Sequence, residues 1–138
     1  GRLWGPKGRF TAGDWGAVFH SLGSNRAWTA LPLQNAWVNF GGAYATAAYR
    51  VDGDWVRLRG LIARSTAAAY PTVVATMPVG LRPVQEEVFL VSSGSVAFAT
   101  AAFSRVHVTA AGAITLVDGN TTNSATNTSL SGVAWSVV

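Results

Sequence analysis

Trp55, Arg57 and Arg59 alternate along one run of the chain, with Val56, Leu58, Gly60 and Ile62 set between or just beyond them. Successive side chains of an extended segment point to opposite faces. The aliphatic set therefore belongs to a core, and Trp55, Arg57, Arg59 and Leu61 share the other face. An exposed indole can stack on a sugar ring while guanidinium groups hold anionic substituents of that sugar. The same residue types also suit a subunit interface, where tryptophan and arginine are enriched. Both readings stay open, because a ligand can lie in a cleft between subunits. A second run repeats the pattern: Val106 and Val108 face one way, and Arg105, His107 and Thr109 the other. Trp55, Arg57, Arg59, Arg105 and His107 are the candidate ligand-binding residues. The polar stretch 118–129, rich in threonine and asparagine, is a second candidate surface and reads as a mobile loop.

Nothing in the chain nominates catalysis or a metal. The two histidines, His20 and His107, have no partner at metal-ligand spacing. The six carboxylates are Asp14, Asp52, Asp54, Glu86, Glu87 and Asp118. A glycosidase needs two of them across a cleft. Asp52 and Asp54 flank a turn, where aspartate serves the backbone, and Glu86 and Glu87 point to opposite faces of a strand. Asp52-Gly53-Asp54 and Asp118-Gly119-Asn120 lack the remaining ligands of a calcium loop. No serine has a nucleophile-elbow context. There is no cysteine, hence no disulfide framework and no thiolate site. The reading is a chain without cofactor, and not an enzyme.

The composition sets further bounds. With 138 residues the chain makes one domain with a short appendage. It is 49% hydrophobic and only 12% charged, against a usual quarter for charge. That is more apolar surface than one small barrel can bury, so part of it is expected in an oligomer interface. The net charge is +4, carried by nine arginines and one lysine. An arginine-dominated surface favours anionic partners such as phosphate-bearing or carboxylated saccharides. Nucleic acid fits less well, since no basic stripe with interleaved aromatics extends beyond the Trp55 run. No apolar run approaches the length of a membrane span. The opening Gly1-Arg2-Leu3-Trp4 reads as part of a longer protein.

The elements that must hold these residues are strands. Residues 1–27 are glycine-rich without a sustained period and read as an irregular lead-in or shaft remnant. Strands are expected at 36–40, 45–51, 54–64, 72–77, 87–92, 103–109, 113–117 and 133–138, with weak alternation over 95–101. Asp52-Gly53 is read as the two-residue hairpin turn between 45–51 and 54–64. Gly60, inside the second of these, marks a bulge or barrel corner. Ser93-Gly94 and 110–112 are read as turns. Trp37 and Trp135 are assigned to packing. No run has helical periodicity with caps. Short strands at regular spacing with glycine and proline turns make a sandwich or barrel.

Four stretches carry a resemblance to a known group of proteins. They are 28–41; the Gly60-centred strand 56–62; 75–83, where Pro78, Gly80 and Pro83 close one strand and launch the next; and 130–138, which ends the chain. Over residues 28–138 the chain resembles the C-terminal receptor-binding heads of tailed-phage tail-fibre, baseplate and minor tail proteins. The resemblance implies an all-β fold, a small antiparallel β-barrel or jelly-roll-like sandwich, assembled as a parallel homotrimer. It implies a non-catalytic adhesin at the tip of a virion that binds a bacterial surface glycan, with an upstream fibre shaft or other virion proteins as further partners and no membrane insertion. A trimerisation, capping or decoration module without a ligand is the alternative.

Overall fold

The computed structural model describes residues 27–66, 69–94, 102–119 and 126–138. Eleven strands form among them: β1 (Thr29–Ala30), β2 (Val38–Asn39), β3 (Ala48–Asp52), β4 (Trp55–Arg59), β5 (Leu61–Ala63), β6 (Thr72–Thr76), β7 (Glu87–Gly94), β8 (Ala102–Val108), β9 (Ala113–Gly119), β10 (Asn127–Ser129) and β11 (Ala134–Ser136). No described residue is helical, and among the described residues no helix is long and apolar enough to cross a membrane. The strands make a four-stranded sheet in the order β1-β3-β4-β11 and a seven-stranded sheet in the order β2-β5-β10-β7-β8-β9-β6. Every named pairing is antiparallel. The all-β expectation holds. The lead-in at 1–26 lies outside the described residues, as do residues 95–101.

The run 54–64 is two strands in two sheets. Gly60 separates β4 from β5 at φ +120°, a backbone conformation that a residue with a Cβ rarely adopts. The chain turns the corner there in company with a second segment. β11 pairs with β4 on one side of the corner and β10 pairs with β5 on the other. Between these ladders Leu130 N–H donates to Gly60 C=O at 2.8 Å, and Gly60 N–H donates to Ser131 Oγ at 3.2 Å. Two adjacent strands thus pass from one sheet to the other together, which keeps both ladders nearly intact.

The larger sheet curls until its edges meet on one segment. β2 pairs with β5 at one edge. A few residues earlier, Leu33 bridges to Ala75 of β6 at the opposite edge, and Gln34 N–H donates to Val74 C=O at 2.8 Å. The link between them is a tight turn with Asn35 and Ala36 both at positive φ, and Trp37 N–H bonds back to Gln34 C=O at 3.1 Å. Left-handed backbone at an alanine costs about 1–2 kcal/mol. The turn delivers Trp37 into the core, where it is 2% exposed. The strand expected at 36–40 is correspondingly shorter, because the turn occupies its start.

Leu31, Trp37, Val56, Leu58, Ile62, Val74, Met77, Val91, Val106, Val108, Ile114, Leu116, Leu130, Val133 and Trp135 fill the space between the sheets. The inward sets foreseen on 56–62 and 106–108 are in that core, and so are both tryptophans assigned to packing. One buried polar chain crosses the larger sheet: the Tyr70 and Ser104 hydroxyls lie 2.9 Å apart, and Ser104 Oγ bonds Ser93 Oγ at 3.1 Å.

Three local expectations are corrected. The β3–β4 register pairs Asp52 with Trp55, so the two-residue loop is Gly53-Asp54, with positive φ at Gly53 alone, as a type II′ turn requires. Ser93-Gly94 is the end of β7, paired to β8 through Ser93 and to β10 through both residues. Most consequentially, 118–129 is not one loop. Asp118 and Gly119 end β9, and residues 127–129 form β10, an inner strand of the larger sheet in which Asn127 and Thr128 are buried. Polar composition hid this strand: Asn127 and Thr128 lack the apolar alternation by which an inner strand is recognised. The second candidate surface is therefore withdrawn as a loop, and residues 120–125 lie outside the described set.

A candidate ligand-binding face

The hairpin β3–β4 builds the site. Its register sets Arg50 opposite Arg57, Asp52 opposite Trp55, and Ala48 opposite Arg59, so all of these share the outer face of the four-stranded sheet. On the other side of β4, Ala134 and Ser136 of β11 stand opposite Arg57 and Trp55. Their small side chains leave Trp55 48% exposed. The inner face of the hairpin, with Val56 and Leu58 in the core, fixes which way this outer row points.

Charge on this face is organised around one carboxylate and one indole. Arg50 Nε–H and Arg57 Nε–H both donate to Asp52 Oδ2, at 3.0 and 3.2 Å. The guanidinium carbons of Arg50 and Arg59 lie 4.9 and 4.3 Å from the ring centroid of Trp28. The π-face of an indole attracts a cation, so Trp28 gathers two guanidiniums that would otherwise repel. Arg59 Nε is buried with no hydrogen-bond partner among the described residues. Asp52 is the single carboxylate in this row against Arg50, Arg57 and Arg59, and the face carries excess positive charge. Arg57, with a half-exposed side chain, spends its Nε on Asp52 and keeps its terminal N–H groups for a further acceptor. An exposed indole beside surplus guanidinium suits a ring bearing phosphate or carboxylate.

The five residues nominated from sequence are not brought together as one site. Trp55, Arg57 and Arg59 lie on β4. Arg105 and His107 lie on β8, in the middle of the other sheet, and face out from it. Both are already engaged there. Arg105 makes a two-point ion pair with Asp118 of β9: Nε to Oδ1 at 2.6 Å, and Nη2 to Oδ2. That hydrogen bond, assisted by the charge of Arg105, holds the Asp118 carboxyl below its ordinary 3.8 and raises the Arg105 guanidinium above its ordinary value. His107 Nδ1 lies 2.8 Å from Glu86 Oε2.

Trp28, Arg50 and Asp52 were not among the nominated residues. The signal for Arg50 and Asp52 was present in the Asp-Gly hairpin. Moving the loop from Asp52-Gly53 to Gly53-Asp54 shifts the pairing by two residues and leaves the faces unchanged, so Arg50 and Asp52 fall beside Trp55 and Arg57 in either register. Trp28 had no such signal, because it lies just before the short β1 and its face depends on packing. Among the described residues no group of three histidine, cysteine, aspartate or glutamate side chains is placed to hold a metal ion.

Comparison with solved structures places this geometry in context. The receptor binding protein of Listeria phage PSA superposes with a TM-score of 0.62 at 17% identity, over 94% of this chain and 81% of that one. The head domain of lactococcal phage bIL170, described as a receptor binding domain, superposes with a TM-score of 0.56 at 14% identity, over 81% of this chain and 98% of that one. The chain has the fold of phage receptor-binding head domains. At these identities the likeness is one of backbone and carries no site residues across. No protein-family model matches the sequence, and no curated protein matches it either.

Proposed function

We propose that this chain is the receptor-binding head of a phage tail-fibre, baseplate or minor tail protein, which attaches the virion to a saccharide on the bacterial surface without chemical turnover. Its fold is that of two phage receptor-binding proteins. The observation that carries the ligand class is the outer row of the β3–β4 hairpin: Trp55 half-exposed beside three guanidiniums, of which Arg50 and Arg57 share the one carboxylate Asp52 and Arg59 lies over Trp28. The indole supplies a stacking surface for a pyranose ring, and the guanidiniums supply bidentate hydrogen bonds to phosphate or carboxylate groups on it. The ligand is thus an anionic, phosphate-bearing or acidic, cell-envelope glycan. Heads of this kind work as homotrimers in this reading, and three equal weak sites on one particle give firm attachment by avidity.

The test is binding of the 138-residue chain to an array of bacterial envelope glycans and to host cell walls. Trp55→Ala is expected to lower affinity for a soluble fragment by about tenfold, roughly 1.4 kcal/mol, with the assembly state unchanged. Arg57→Ala is expected to weaken binding to the anionic glycan more than to its neutral counterpart. Retention of full affinity by both variants removes the ligand from this face. Absence of any binding by the wild type favours a purely structural module.

A further inference from the structure

The outer face of the larger sheet differs in kind from the hairpin face. On β7 the side chains of Val88, Leu90 and Ser92 alternate with the buried Val91 and Ser93 and point outward. Across the β7–β8 ladder they stand opposite His107, Arg105 and Phe103 in turn. Leu90 is 70% exposed, Val88 55% and Phe103 44%. An apolar row of this size in the middle of a sheet, away from any edge, is unusual for surface that stays in water. The polar groups beside it are partnered within the face: Arg105 pairs with Asp118, and His107 Nδ1 lies within hydrogen-bond distance of Glu86.

We propose that this β7–β8–β9 face is where copies of the chain meet, which leaves the β3–β4 face for the ligand. The inference rests on the receptor-binding reading for its oligomer, but the choice of face comes from charge. Two copies that approach through their hairpin faces bring Arg50, Arg57 and Arg59 of each together with only one Asp52 apiece, and they repel. Two copies that approach through β7 and β8 bring apolar side chains together, and the guanidinium beside them, Arg105, already carries its own carboxylate, Asp118. This face is self-complementary and the other is not. About a threefold axis running along this face, Leu90 of each copy faces its equivalents, and the three hairpin faces are turned outward. Of the two roles that the sequence leaves open for the Trp55 face, this proposal assigns the ligand site.

Sedimentation equilibrium of the full chain tests this. The wild type is expected at three times the 14.4 kDa chain mass, and Trp55→Ala is expected to keep that mass. The double variant Val88→Glu, Leu90→Glu is expected to fall to one chain with its β-sheet circular dichroism retained. Because the chain has no cysteine, a second readout avoids any doubt about folding. Leu90→Cys is expected to be shielded from maleimide in the assembled protein, and Trp55→Cys to react freely. A monomeric wild type overturns the inference, whether Leu90→Cys is then open or is covered by residues 1–26 of its own chain. Equal labelling of the two cysteines overturns it too. A monomer that still loses glycan binding on Trp55→Ala overturns the interface alone and leaves the receptor reading standing.

Discussion

Gly60 lies so close to Ala47 that a Cβ built on it would stand 2.5 Å from Ala47 Cα and 2.6 Å from Ala47 N. No rotamer relieves that contact, since both partners are backbone. The closeness exists because β4 must leave one sheet and enter the other while 45–47 crosses over it: Leu61 N–H bonds Ala45 C=O at 3.0 Å, and Leu31 N–H bonds Ala47 C=O at 3.0 Å.

Gly60→Ala is therefore expected to be among the most damaging single changes. It adds a methyl where there is no room and forces alanine to positive φ. Together these cost about 2–5 kcal/mol, to be read as a fall in the midpoint of urea unfolding. Gly53→Ala is the control. It also sits at positive φ but has open space around it, so its cost is confined to about 1–2 kcal/mol of backbone strain.

Trp28 is expected to act on ligand binding through the arginines it holds. In Trp28→Ala the guanidiniums of Arg50 and Arg59 lose their π-partner, and Arg59 loses its fixed position. Each cation–π contact is worth about 0.5–1 kcal/mol at such a site, so the change in unfolding midpoint is small. The telling measurement is the ratio of affinities for an anionic glycan and its neutral counterpart. That ratio is expected to collapse in Trp28→Ala, whereas Trp28→Phe, which keeps a ring, preserves most of it.

The Arg105–Asp118 pair predicts a pH signature. The folded carboxyl of Asp118 is held below its ordinary 3.8 by the hydrogen bond from Arg105. A carboxyl depressed in the folded state adds stability in full above its unfolded value and loses that contribution as the pH falls through the folded value. The difference in melting temperature between wild type and Asp118→Asn is thus expected at neutral pH and should close in the acid range below 3.8. Both side chains are well exposed, so the difference is small and shrinks further in high salt. A difference that persists unchanged at low pH removes the ion pair as its source.

The hairpin face was legible because it depends on local geometry. Alternation along 55–62 assigns Val56, Leu58 and Ile62 inward and Trp55, Arg57 and Arg59 outward whatever the rest of the chain does, and the glycine turn at Gly53 ties β3 to β4 within a few residues. Gly60 announced a corner for the same reason: a strand interior has little use for glycine unless backbone must bend or approach backbone. β10 gave no such sign. Residues 127–129 are polar and short, and they become an inner strand only because β5 and β7 present open ladders on either side of them.

By itself the sequence determined which side chains face in and which face out along β4 and β8, because a period of two follows from the extended backbone alone. It also determined the all-β class, the corner at Gly60 and the absence of cysteine chemistry. The tertiary structure alone decided which strands became neighbours. It set Arg105 and His107 on a different sheet from Trp55, drew Trp28 onto Arg50 and Arg59, and left Val88 and Leu90 exposed beside the Arg105–Asp118 pair. Those relations join residues far apart in the chain. They are fixed by how two twisted sheets close over one core, and alternation within a strand carries no record of that closure.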